Sequence, residues 1–86
     1  MKKLERLLKA LASHRRLSIL SELKKKKSSS VGIIARSLRL SLHATSKHLR
    51  ILMAVNLIDY DRRGMEVHYE LVEEVPFIAQ QVIDVL

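Results

Sequence analysis

The chain has 86 residues, 48% of them hydrophobic but only 3% aromatic, with no cysteine and a formal charge of +7. That bounds it to one domain, residues 1–86, with a single small core that gains from a partner chain; disulfides, thiolate metal ligands and cysteine nucleophiles are excluded, and stacking of splayed bases has few aromatics to use. Residues 1–27 carry ten Lys or Arg against two acids, 28–58 four against none, and 59–75 two against six, a segregation that favours a polyanion, or else an acidic protein or membrane surface.

The opening segment "MKKLERLLKALASHRR" is charged at helical spacing, unlike a secretory signal. No apolar run approaches the ~20 residues that cross a bilayer, so the expected compartment is the cytoplasm. Leu4, Leu7, Leu8 and Leu11 recur every three or four residues and predict an amphipathic helix over 2–12. Ser13 is placed to cap a second helix, in which Leu17, Leu20 and Leu23 make the apolar stripe and Ile19 adds to it. It runs out in Lys24–Lys27, cations suited to a helix C-terminus, and Ser28–Ser30 read as a loop.

Val31, Ile34, Ala35 and Leu38 mark a short third helix ending near Arg39. After a turn of about four residues Ser41 caps a fourth helix, 42–55, whose inward positions are Thr45, Leu49, Leu52 and Val55. His43, Ala44, Ser46, Lys47 and Arg50 then point outward, which is helix-turn-helix spacing. Asn56 suits a left-handed stop, and the period changes from helical to alternating. "LIDYDRRGMEVHYELV", residues 57–72, reads as a hairpin turning at Arg63-Gly64, with Val67, Tyr69 and Leu71 on one face and Glu66, His68 and Glu70 on the other. Glu73, Glu74 and Pro76 suit the first turn of a last helix. That helix is apolar nearly all round, so it should be covered on two sides, by its own core and by a second subunit.

Helix, helix, short helix, helix, hairpin, helix, with "LKALASHRRLSIL" at 8–20, "LRLSLHATSKHLRILMAVNLI" at 38–58 and "RRGMEVHYEL" at 62–71, resembles the ArsR-type family of winged helix-turn-helix transcriptional regulators. The middle block is the most specific, carried by Leu40, Ser41, Ser46, Lys47, His48, Leu49, Leu52, Leu57 and Ile58. The resemblance implies a mainly α fold of five helices with a small β-hairpin wing. It implies a homodimer through the first and last helices, here Leu4, Leu7, Leu8, Leu11, Phe77, Ile78, Val82 and Val85, with the fourth helix in the DNA major groove. Many relatives are derepressed by metal ions, and here the chain departs from them. The family's thiolate pair would fall near Ser30–Gly32, where there is no cysteine, and its second site on the last helix finds only Asp84 and no His.

The expected partner is therefore double-stranded DNA, with no cofactor and no membrane. "SLRLSLHATSKHLRIL", residues 37–52, holds no acid. His43, Ala44, Ser46 and Lys47 would meet base edges, Ser41 and Arg50 phosphates, and His48 either the fold or a phosphate. Leu42 stands where relatives often have Gln, so sequence preference would rest on a thymine methyl or on DNA shape. Arg62 and Arg63 at the wing tip would enter a minor groove or meet phosphates, Gly64 permitting the tight turn. The plainer alternatives are a solvated helix face, a merely soluble hairpin tip and, for Lys24–Lys27, a solvated helix end. His14, His43, His48 and His68 are scattered over four elements and predict no metal site. No nucleophile elbow, glycine-rich loop or acid pair points to an enzyme. Two other readings stay open: a winged-helix docking module without specific DNA binding, and a metal sensor using His residues brought together across a dimer.

Overall fold

The computed structural model describes residues 1–86 as five helices and a three-stranded antiparallel sheet of order β1-β3-β2. In chain order these are α1 (Lys2–Leu11), α2 (His14–Lys26), β1 (Ser28–Ser30), α3 (Val31–Leu38), α4 (Leu42–Ala54), β2 (Ile58–Arg63), β3 (Glu66–Leu71) and α5 (Phe77–Asp84). This is the winged helix-turn-helix architecture that the residue pattern implies, with one strand more than the pattern predicts.

Serine starts three of the helices. The hydroxyls of Ser13, Ser30 and Ser41 accept from the backbone N–H of Arg16, Ile33 and Ala44 at 3.3, 3.3 and 3.0 Å, satisfying donors the first turn leaves free. Three segments end on a residue forced into the left-handed region: Lys27, Arg39 and Asn56, with φ of 70°, 56° and 60°. Only Asn56 was marked for this by its residue type; Lys27 and Arg39 bear the steric cost because the chain must reverse there. At the centre lie Ile19 and Leu20 of α2, Ile34 of α3, Leu49 and Leu52 of α4 and Leu57, all fully buried. α2 is thus the beam against which the helix-turn-helix pair is held.

Several expectations are corrected. Ser28–Ser30 are not a loop but an edge strand, paired Ser28 with Glu70, Ser29 with Tyr69 and Ser30 with His68. The second edge of β3 needs backbone partners, and a short serine run supplies them whatever its side chains favour. The hairpin turns one residue later than expected: Arg63 pairs with Glu66, so Gly64 and Met65 form the two-residue loop. Gly64 takes φ 65° at the first loop position, the conformation that such tight hairpins ask of glycine. The last helix starts at Phe77, with Glu73 and Glu74 outside its first turn, because Pro76 holds an extended ψ of 145°.

The expected subunit face is also divided. Leu7 and Leu11 belong to the protomer's own core and Val82 packs on it, whereas Leu8, Phe77, Ile78 and Val85 are exposed. α1 has room for only one buried stripe, Leu7, Ala10 and Leu11, which leaves Leu8 outside. α5 buries Ala79 and Ile83 and leaves Phe77 77% and Val85 82% exposed. Leu4 is half-buried, and it lines one crevice together with Leu7, Ala54, Val55 and Pro76.

Candidate nucleic-acid interface

α3 and α4 are separated by three residues, Arg39, Leu40 and Ser41, one fewer than expected. Arg39 turns the chain left-handed, the Leu40 N–H closes back on the Ala35 carbonyl at 2.9 Å, and Ser41 at once opens α4. The Thr45 hydroxyl donates to the Ser41 carbonyl at 2.9 Å, so that hydroxyl is spent inside the helix, while the Ser41 oxygen caps the first turn. Beyond them Leu42, His43, Lys47 and Arg50 are exposed, Ala44 and Ser46 are half-buried, and Thr45, Leu49 and Leu52 face the core.

The surface of the pair is cationic and free of counter-charges. Arg36, Arg39, Lys47 and Arg50 are exposed, and none takes part in the protein's ion pairs, which are Lys9–Glu5, Lys26–Glu22, Arg63–Asp61 and His68–Glu66. The wing is more mixed. Strand alternation puts Tyr60 and Arg62 on the face with Val67 and Tyr69, while Asp59, Asp61, Glu66 and Glu70 gather on the other face with Arg63 and His68. Arg63 is turned back on Asp61 at 3.3 Å, so of the two tip arginines only Arg62 is free of a carboxylate.

His48 does not point out with Lys47. It is half-buried, and its Nδ1 accepts from Arg16 Nη1 at 3.2 Å. Arginine has no lone pair to offer, so this contact needs a neutral ring with its proton on Nε2. Burial first, then the positive charges of Arg16, Arg15 and Lys47, hold the imidazole pKa below its ordinary value. The same Arg16 side chain donates through Nε to the Ala10 carbonyl at 2.7 Å and through Nη2 to that of Lys9 at 3.1 Å. One guanidinium therefore joins the last turn of α1, the first of α2 and the middle of α4.

Arg16 was missed by the sequence reading. Its signal was a local misfit: a cation in the first turn of a helix opposes the dipole and has to find acceptors elsewhere. Lys24 was misread as part of a solvated helix end; its ammonium donates to the carbonyls of Ile83, Asp84 and Leu86 at 3.0, 3.2 and 3.1 Å and ties α2 to the end of α5. Three acceptors 59 to 62 residues away leave no mark in a local pattern. The four histidines fall on three elements rather than four, His43 and His48 sharing α4, and no three His, Asp or Glu side chains come together in a way that could hold a metal ion.

No protein-family profile and no curated protein sequence matches the chain. Solved structures do. Reduced HlyU from Vibrio cholerae N16961 is 34% identical with a TM-score of 0.82, covering 99% of this chain and 85% of its own. The homodimeric winged helix-turn-helix DNA-binding domain of Mb0332 from Mycobacterium bovis, a possible ArsR-family transcriptional regulator, is 27% identical with a TM-score of 0.80 over 98% of this chain and 71% of its own. The transcriptional repressor PagR of Bacillus anthracis is 27% identical with a TM-score of 0.78, covering 98% and 92%.

Proposed function

Because the chain belongs to the ArsR-type family of winged helix-turn-helix transcriptional regulators, we propose that it is a homodimeric repressor that binds double-stranded DNA sequence-specifically, without the cysteine metal site of many relatives. In this reading α4 enters the major groove, and the wing lies on the flanking backbone or minor groove. His43, Ala44 and Lys47 meet base edges, joined by Ser46 where it emerges, and Arg50 meets a phosphate. With its Nδ1 engaged by Arg16, His48 keeps Nε2–H as a donor for a phosphate. Ser41 serves as the cap of α4 and offers its backbone at the helix N-terminus. Arg62 leads at the wing, with Arg63 joining once it leaves Asp61. The working compartment is the cytoplasm, where the dimer meets DNA; no helix is long and apolar enough to cross a membrane.

The observation that carries this reading is the α3–α4 surface: four exposed cations, no acid, and no ion pair to neutralise them. Neutralising phosphates with such groups releases counterions, so affinity must fall steeply with salt. Two copies related by a two-fold axis would read a pseudo-palindrome in successive major grooves. Homodimeric Mb0332 and the repressor PagR lend support by analogy.

The test is fluorescence anisotropy on the duplex upstream of this protein's own gene and on a scrambled duplex, across salt, with and without chelator. Selective binding that weakens steeply with salt and ignores the chelator is expected. Chelator-dependent binding would favour a metal sensor. Equal weak binding to both duplexes would favour the docking module, to which the exposed Phe77, Ile78 and Val85 would lend themselves.

A further inference from the structure

We propose that Leu42 reads the 5-methyl groups of thymine in the operator, so that the entry of α4 discriminates by methyl contact as well as by hydrogen bonding. The inference rests on the reading of α4 as the helix in the major groove and deepens it by naming the chemistry it selects.

Leu42 is the first residue of α4, 58% exposed, and it takes no part in the core cluster that holds Leu49 and Leu52. An exposed leucine alone is ordinary; its position is what matters. Cα–Cβ bonds in a helix tilt toward the N-terminus, so the side chain at the first position leans past the helix end, the part of a recognition helix that meets base edges. Of the hydroxyls near this end, Thr45 faces the core and donates to the Ser41 carbonyl, Ser41 Oγ accepts from the Ala44 N–H, and Ser46 lies a turn further along and half-buried. The side chains left at the entry are Leu42, His43 and Ala44, two of the three without a polar atom. The major groove has one apolar feature among its donors and acceptors, the C5-methyl group of thymine. A methyl lost from such a contact leaves both surfaces in water and is felt in affinity, whereas hydrogen bonding in the groove is unchanged.

The experiment starts from the duplex selected by this protein out of a random pool, with each thymine of a half-site replaced in turn by deoxyuridine, which keeps every hydrogen-bonding group and removes only the methyl. The expected result is a loss of about three- to fivefold at one or two positions, the same positions losing nothing further in Leu42→Ala. That variant should keep the wild-type melting temperature, since Leu42 is exposed and outside the core cluster, and it should keep the steep salt dependence. Equal affinity for thymine and deoxyuridine at every position, with selective binding intact, would overturn the assignment and leave the DNA-binding reading standing. Deoxyuridine sensitivity that persists unchanged in Leu42→Ala would assign the effect to DNA shape and overturn it as well. Failure to select any duplex would remove the reading of α4 itself, and this inference with it.

Discussion

A single guanidinium holds α1, α2 and α4 together, since Arg16 donates to Ala10, Lys9 and His48. Charge-assisted bonds in a fork are geometry-specific, so lysine cannot replace the three contacts of Arg16. His48 is the titrating partner. Its pKa is lowered in the folded protein, so below about pH 6.5 the unfolded chain binds the proton more readily. The stability this ring contributes is present in full above that pH and is lost as pH falls through the lowered value. Melting temperature followed from pH 7.5 to 5.5 should decline more steeply in the wild type than in His48→Gln; parallel curves would show that the ring does not titrate in place. Lys47 makes a second residue-scale case. Lys47→Ala should cost ~1–3 kcal/mol of affinity, confined to the selected sequence if Lys47 reads a base. Uniform weakening on every duplex would assign it to phosphate.

Among the elements, α4 depends most on its cap. Ser41 satisfies the Ala44 N–H, and its own carbonyl accepts from Thr45. Ser41→Ala should destabilise the protein by about 1 kcal/mol, a fall of roughly 4–8 °C in melting temperature for a domain of this size. Circular dichroism melting measures it, and an unchanged midpoint would mean that water replaces the cap. Most helices were legible because leucine spacing and serine caps are local signals. β1 was not, because Ser28–Ser30 become a strand only when the free edge of β3 arrives from elsewhere in the chain. The wing also shows what alternation conveys and what it hides. Glu66, His68 and Glu70 fall on one face as expected, but the meeting of those acids with Asp59 and Asp61 depends on register across the turn. A shift of one residue would move each side chain to the opposite face.

At the scale of the whole molecule, exposed apolar side chains occur on α1 and around α5 as well as at Ile33, Leu42, Ile51, Tyr60 and Met65. Leu8, Phe77, Ile78 and Val85 stand outside a core that has already taken Leu7, Leu11 and Ile83. In the proposed dimer this face is covered by the second copy, and a charge placed in it would be desolvated without a partner. Phe77→Glu should therefore sediment as a monomer at tens of micromolar, where the wild type sediments as a dimer, and should lose cooperative binding to the two half-sites. A variant that remains dimeric would place the interface elsewhere. The long-range pattern of charge fits this arrangement: the cations of α3 and α4 remain free on one surface, while four of the nine acids gather on one face of the wing.

By itself the sequence determined what depends on near neighbours: helical periods, the caps at Ser13 and Ser41, the left-handed Asn56, the two-period hairpin and an acid-free stretch around Lys47 and Arg50. It also carried enough of the ArsR-type pattern for the architecture to be recognised. Only the tertiary structure decided which leucines of α1 are core and which are surface, because one helix face can be buried by one neighbour only. It alone turned His48 inward to Arg16, spent Lys24 on the end of α5 and left Leu42 exposed at the tip of α4. Those outcomes depend on partners far away along the chain, and the physical forces that select them, burial and the need of each buried polar group for a counterpart, act only once distant segments meet.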